Sequence, residues 1–460
     1  MSGFTSAIGA CSVATLEALA KYGLDEETIS GLCGDNGCSD VQDCLNMHLL
    51  SNAGSVDEKA SGVALALDVS FILFSGYLVF IMQLGMNILL KNMLDACVGA
   101  MGFYLFGYAF AYGRKEGQKS NGFIGNWNFA LSYTTQTSFS GEEFAAQGWH
   151  LFFFQWSFCA ATTSIVSGAV AERCTFTAYL AYAFFLSSFV YPVLVHWVWD
   201  PSGWLSAFNT SRDGYAMILR TGAVDFAGSG VVHMTGGLAA LMGAWIIGPR
   251  VGRFDEAGNV QEIKGHSATL VVMGTFLLWF GWFGFNPGSN LTIASQAAAT
   301  VVSRIAVCTA LAGGAGGIAM LLYKHATTGA WDVIAVCNGI LAGLVAITSA
   351  CSVVEPFGLF YGGHGQILLV QFIEVLAIAG WTCSTMGAYF FAMNKAGLLR
   401  VSQEDELAGL DVANFNKSVR NGSAYNGSAH VNGNGNGHGN GNGNGYHNDH
   451  DGITEKSLAP

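Results

Sequence analysis

The sequence predicts an all-α, polytopic membrane helix bundle, and three observations carry that expectation. Apolar stretches of about 20 residues recur along the chain, each long enough to cross roughly 30 Å of hydrocarbon. Hydrophobic residues make up 52% of the 460 positions and charged residues only 11%, a balance suited to lipid rather than to water. Third, an apolar run ending at Ile247 encloses two ionisable residues, Asp225 and His233. A charge at membrane depth costs roughly 2.5 to 3.5 kcal/mol, so such residues are first candidates for function.

In chain order, residues 1–63 read as an extracellular segment. Cys11, Cys33, Cys38 and Cys44 lie there among acidic and small residues, which suits one or two disulfides in an oxidising exterior, with reduced thiols as the competing reading. No basic region followed by a compact apolar core marks a cleavable signal, so the first membrane helix is expected to direct insertion. Residues 64–394 hold nine candidate spans: Leu65 to Leu90, Met93 to Gly113, Phe144 to Val170, Phe176 to Trp199, Gly222 to Ile247, Ser267 to Pro287, Ala297 to Tyr323, Val333 to Val354 and Gly365 to Met393. Glycine is abundant in them, and small residues let membrane helices approach closely. Arg250, Arg253 and Lys264 on one side barely outnumber Arg114, Lys115 and Lys119 on the other, so charge leaves orientation open. Residues 395–413 read as a cytoplasmic segment. The Asn/Gly-rich tail, 414–460, lacks hydrophobic periodicity and is expected to be disordered. Its sequons at Asn416, Asn421 and Asn426 matter only to an extracellular tail.

The net charge of −12 comes with no basic patch, which argues against a nucleic-acid partner. No nucleotide loop, metal cluster or nucleophile constellation points to an enzyme or to a cofactor. Asp225 opens an apolar run and is placed to cap the free N–H groups of a helix start. His233 lies eight residues on, roughly 12 Å deeper at about 1.5 Å per residue. From periodicity alone it fits either a hydrogen bond between helices or a pore lining. Trp199, at the end of a span, reads as an interfacial anchor.

Several long motifs give a resemblance. These are Tyr77-Leu-Val-Phe-Ile-Met-Gln-Leu-Gly85, Gly168-Ala-Val-Ala-Glu-Arg173, the stretch Asp225 to His233, Gly281-Trp-Phe-Gly-Phe-Asn-Pro-Gly-Ser289, and Cys337-Asn-Gly-Ile-Leu-Ala-Gly-Leu-Val-Ala-Ile-Thr348. Through them the chain, from about residue 65 to 411, resembles the ammonium transporter, methylammonium permease and Rhesus superfamily, in its plant and algal branch. The resemblance implies the ammonium transporter fold of eleven spans, a trimer with one pore per subunit, the N-terminus outside and the C-terminus in the cytosol, in the plasma membrane. It implies ammonium, ammonia and methylammonium as cargo, recruited as the cation, deprotonated, and passed as NH3 through a dry channel. By motif position, Trp199 and Ser289 with Phe158 would recruit the cation through cation–π attraction and a hydroxyl. Phe158 and Phe285 would gate the pore, and Phe154 lies one turn away. His233 would be the first of two paired pore histidines able to relay a proton. Asp225 would shape the mouth of the site.

The chain departs from the family pattern twice. Val353-Val-Glu-Pro-Phe357 runs straight into Gly358-Leu-Phe-Tyr-Gly-Gly-His-Gly365, omitting the two spans that normally intervene and the second pore histidine with them. This accounts for nine spans against eleven, and His364 does not occupy the missing position. Gln83-Leu-Gly85 also runs directly into Met86-Asn-Ile88, so the first two spans form a strained hairpin or one overlong helix, with Lys91 reaching toward an interface. The leading expectation is an ammonium transporter. The competing one is a non-conducting ammonium sensor or modulatory subunit that joins paralogues in mixed trimers. Gly397 to Asp411 resembles the family's regulatory region, which docks on a neighbouring subunit.

Overall fold

The computed structural model describes residues 11–22, 24, 26–33, 38, 40–86, 90–115, 121–132, 148–209, 217–263, 265–356 and 366–410. The tail from 414 with its three sequons, Asp411, His364, Lys119 and Lys264 lie outside the described residues.

Two short helices, α1 (Val13–Lys21) and α2 (Glu26–Leu32), precede α3 (Val41–Met86). Ser12 caps α1 by accepting from the Thr15 N–H at 3.2 Å. Leu16, Leu19 and Ile29 form a small core with the four cysteines, which are joined as Cys11–Cys33 and Cys38–Cys44. So few apolar side chains cannot hold a unit of this size, and cross-links supply what burial lacks. Helix α3 runs 46 residues without a break, about twice the length that ~30 Å of hydrocarbon requires. The boundary expected at residue 63 therefore falls inside one continuous helix.

Helix α4 (Leu90–Gly102) passes through a π-helical segment, Phe103–Gly107, into α5 (Tyr108–Tyr112). Residues 87–89, on which the two readings of the first junction turn, lie outside the described residues. Lys91 also differs from expectation. It is buried, and its ammonium donates to the carbonyls of Ala171 at 2.7 Å and Cys174 at 2.6 Å. These belong to the end of α6 (Trp149–Val170) and the turn after it, where free carbonyls and the dipole favour a cation.

Next come α7 (Phe176–Phe185), a second π segment Leu186–Val190, and α8 (Tyr191–Trp199). A π turn, Ser229–Met234, opens α9 (Thr235–Ile247), and α10 (Ala268–Gly288), α11 (Gln296–Thr328), α12 (Val333–Thr348), α13 (Gln366–Lys395) and α14 (Gln403–Ala408) complete the order. Helices stand at each of the nine expected places. Seven of the described helical stretches are long and apolar enough to cross a membrane, while α6 and α12 fill the other two places. Among the described residues there is no strand, only three isolated bridges.

Helix α3 packs on α6 and α10, α9 on α6 and α13, and α11 on α12. The last pair meets backbone to backbone: a Cβ at Gly316, Gly339 or Gly343 would overlap main-chain atoms across the interface. Small residues permit that approach where no hydrophobic drive exists between helices in lipid. The segment after α13 folds back onto its own chain. The Val401 N–H donates to Arg173 O at 3.0 Å, and Arg400 donates to Ile247 O, Pro249 O and the Glu406 carboxylate.

Candidate functional site

The Asp225 loop is held from three sides. Phe226 and Ala227 N–H groups donate to Ser349 O and Thr348 O at the end of α12. Gln371 on α13 clamps Val224 in both directions, accepting its N–H at 2.7 Å and donating to its carbonyl at 2.9 Å. The Asp225 carboxylate accepts the N–H groups of Gly230 at 3.0 Å and Val231 at 2.9 Å. This satisfies donors that a helix start leaves open. Gly228, at φ 100, makes the preceding bend that a side chain would resist. The helix expected to begin at Gly222 therefore begins at Ser229, and it begins as a π turn that carries His233. Such wide turns frequently sit at functional sites.

From this turn an aromatic column runs outward through α10, α6 and α8. His233 stacks on Trp282 with centroids 5.0 Å apart and lies 5.2 Å from Phe285. Phe285 and Phe158 stack at 4.0 Å, and both are buried. Phe154 is 4.7 Å from Phe158. Trp199 meets the Phe158 ring edge-on at 6.0 Å, and its indole N–H donates to Asp225 O at 2.7 Å. Ser289 joins through Phe285, donating its hydroxyl to that carbonyl at 2.8 Å. Its oxygen lone pairs stay available to accept. The structure thus brings Trp199, Phe158, Phe285, His233 and Asp225 into one continuous group.

On the other side of His233 lies a cavity of about 1110 Å³, lined by Ser164, Asp225, His233, Trp282, Gln371 and Glu374 among others. His233 Nε2 and Asp225 Oδ1 are buried there without hydrogen-bond partners, a costly condition unless something binds them. Three residues join the site that the sequence did not bring forward. Trp282 lies inside one of the family motifs, fixed here by its N–H donating to Thr348 Oγ1 at 2.9 Å. Gln371 carried no signal. Glu374 did carry one, as the lone carboxylate within the last apolar run.

A helical bundle whose walls converge on an aromatic column and an intramembrane imidazole defines a multi-pass membrane protein that handles a small solute. The profile of the Ammonium Transporter Family matches residues 62–363 and 357–419. The chain belongs to the ammonium transporter family. It is 42% identical over 400 residues to rice ammonium transporter 1 member 1, covering 71% of this chain and 77% of that one. It is 39% identical over 454 residues to tomato ammonium transporter 1 member 3, covering 79% and 94%. In both, the aligned positions exceed the share of this chain they use, so long gaps fall within it. The profile also breaks into two pieces that meet at 357–363, where the sequence jumps from Pro356 toward the last span. Among solved structures, the fold matches a sensor Amt protein with TM-score 0.64 at 24% identity, covering 77% of this chain and 99% of that chain. It matches Mep2 of Candida albicans at 0.62, with 24% identity and 74% and 87% coverage.

Proposed function

We propose that the chain transports ammonium across the membrane: the cation is recruited at Trp199, Phe158 and Ser289, gives up its proton, and crosses as NH3 past Phe158, Phe285 and His233. The observation that carries this is the column itself. The indole and the phenylalanine faces offer cation–π attraction at the entrance, and the 4.0 Å stack of Phe158 on Phe285 closes the way to hydrated ions. Hydrated sodium and potassium have no proton to shed, so a dry gate discriminates against them. Only a proton is exchanged, which makes the chain a transporter and not an enzyme. Asp225 shapes the mouth: its carboxylate sets the turn beneath, and its carbonyl holds the Trp199 indole.

The cross-linked unit of α1, α2 and the start of α3 supports an extracellular N-terminus, with residues 395–413 cytosolic and regulatory, the plasma membrane as location, and a homo-trimer or a mixed trimer with paralogues as assembly. Residues 1–63, 64–394, 395–413 and 414–460 then divide the chain by role.

The test is methylammonium uptake by cells stripped of their own ammonium permeases. Trp199→Leu and His233→Ala should each lower uptake about tenfold or more, with the protein still at the membrane. A second reading has its own observation, the unpartnered His233 Nε2 beside an open cavity. On it, the chain conducts nothing alone and alters the flux of a full-length paralogue in mixed trimers. Flux alone against flux change on co-expression separates the two.

A further inference from the structure

Helix α13 buries one residue in four along a single face: Val370, Glu374, Ile378, Thr382, Met386 and Phe390. Five fit a packing stripe, and the sixth is a carboxylate that is 3% exposed. Its Oε1 has no hydrogen-bond partner. An ionised carboxyl so placed is costly unless a cation or a proton joins it. Among the described residues, no lysine or arginine lines the cavity beside it. The titratable groups sharing its cavity wall are Asp225 and His233, with His266 also on the lining. Helix α9 and the Leu186–Val190 segment, both packed on α13, carry no titratable side chain. Arg220, on a turn touching α13, is exposed, and Cys383, Tyr389 and Lys395 lie further along α13 itself.

The carboxyl also sits at the turn that carries His233. A Cβ on Gly230 would lie 3.0 Å from Glu374 Oε1 and 3.2 Å from Asp225 Oδ2. The two carboxylates thus border the same small space beside Gly230.

We propose that Glu374 is a proton-binding side chain of the conduction path, taking up by way of His233 the proton that ammonium gives up at the entrance. The proposal rests on the transport reading. In the step, an N–H bond of ammonium breaks and its electron pair stays on nitrogen. The proton bonds to the Glu374 carboxylate, which becomes a neutral acid. The acid later returns the proton to NH3 or water leaving the cavity, restoring the carboxylate. The His233 imidazole can hold one proton, and Glu374 supplies a further proton-holding group on the same cavity wall.

The experiment uses the full chain in proteoliposomes, with methylammonium uptake measured across pH and infrared difference spectra recorded on adding ammonium in place of sodium. Glu374→Gln keeps the size of the side chain and should lower uptake about tenfold or more and flatten its pH profile. Glu374→Asp should recover part of the rate with a shifted profile. An ammonium-induced carboxylic-acid C=O band should appear in the parent chain and vanish in Glu374→Gln. Parent-like uptake and pH profile in Glu374→Gln, with the band retained, overturns the proposal while leaving transport intact. If the parent chain moves no methylammonium, the transport reading falls and the band alone decides: its loss in Glu374→Gln upholds proton binding, its absence in the parent chain sinks it. Should Glu374→Gln fail to assemble, the Glu374→Asp profile and the parent band decide instead, an unshifted profile with no band counting against the proposal.

Discussion

Two spans of this molecule, α7–α8 and α13, face opposite demands. In Phe176–Trp199, 72% of the apolar window is buried within the chain, whereas in Gln366–Lys395 only 22% is. The first is surrounded by its own bundle. Tyr179 donates to Asp95 at 2.6 Å, Gly107 fits against Ser187 O, and the paired π segments lie side by side. The second shows the chain one stripe and turns Leu368, Phe372, Val375, Leu376 and Phe391 outward. The protein is thus complete by itself around α7–α8 and relies on lipid or neighbours around α13. The aromatic column belongs to the complete side, built by α6, α8 and α10. The cavity belongs to the other side, and His233 stands on the border between them.

The most severe challenge to this contrast is to strain the complete side. A Cβ at Gly107 would approach Ser187 O to 2.6 Å, closer than non-bonded atoms tolerate, with the Phe103 ring equally near. Gly107→Val should cost about 3 kcal/mol or more through overpacking and remove most assembled protein, measured as the monodisperse fraction in detergent. An equally large loss from Leu376→Ala, on the outward face of α13, would abolish the contrast. That change should lie within about 0.5 kcal/mol of the parent chain.

Next in size comes the clamp. Gln371→Leu leaves the Val224 N–H and C=O without partners, at about 1 to 3 kcal/mol for each buried group. Its effect should fall on function as well as stability, because Val224 precedes Asp225 and Asp225 sets the turn under His233. The expected result is reduced methylammonium uptake and a loosened Asp225 loop, seen as faster hydrogen exchange from Ala223 to Val232. Reduced stability with unchanged uptake would show that the two sides of the site are not mechanically joined.

A gentler probe compares positions within α13. Ile378→Ala removes a fully buried side chain from the stripe and should lower stability by about 2 to 4 kcal/mol. Leu369→Ala, half exposed on the other face, should change it by less than about 0.5 kcal/mol. Thermal midpoints in detergent check both, and equal shifts would mean that neighbours bury the outer face as fully as the bundle buries the inner one.

The same contrast explains what the sequence made legible. Among the described residues, helices stand at the places where apolar runs of about 20 residues put them, because lipid admits few other solutions for backbone polar groups. The family motifs brought Trp199, Phe158, Phe285 and His233 forward, and the fold draws them into one column. The misses have physical reasons. Residues 41–58 mix polar and apolar side chains without a sustained apolar run, so nothing announced that α3 continues through them. Lys91 looked like a residue reaching for water, because the carbonyls that hold it come from 80 and 83 positions away. The π turns leave no periodic trace, and Gln371 acts through a loop distant in the chain. Glu374 was readable by the same argument that singled out Asp225, as a carboxylate within an apolar run.

The smallest effect on transport is expected from the unit that precedes the membrane. Cys11, Cys33, Cys38 and Cys44 pack with Leu16, Leu19 and Ile29 as a core separate from the main one, joined to it through α3. Replacing Cys11 and Cys33 together by serine removes one cross-link, worth about 2 to 4 kcal/mol to the unit it closes. Limited proteolysis should then cut between α1 and the start of the membrane portion of α3, while methylammonium uptake stays at the parent level. If uptake falls with the cross-link, the unit does more than shield the chain's entry. The 46-residue α3 would be transmitting its placement to α6 and α10, which α3 contacts directly, and the functional site would extend to the cystines themselves.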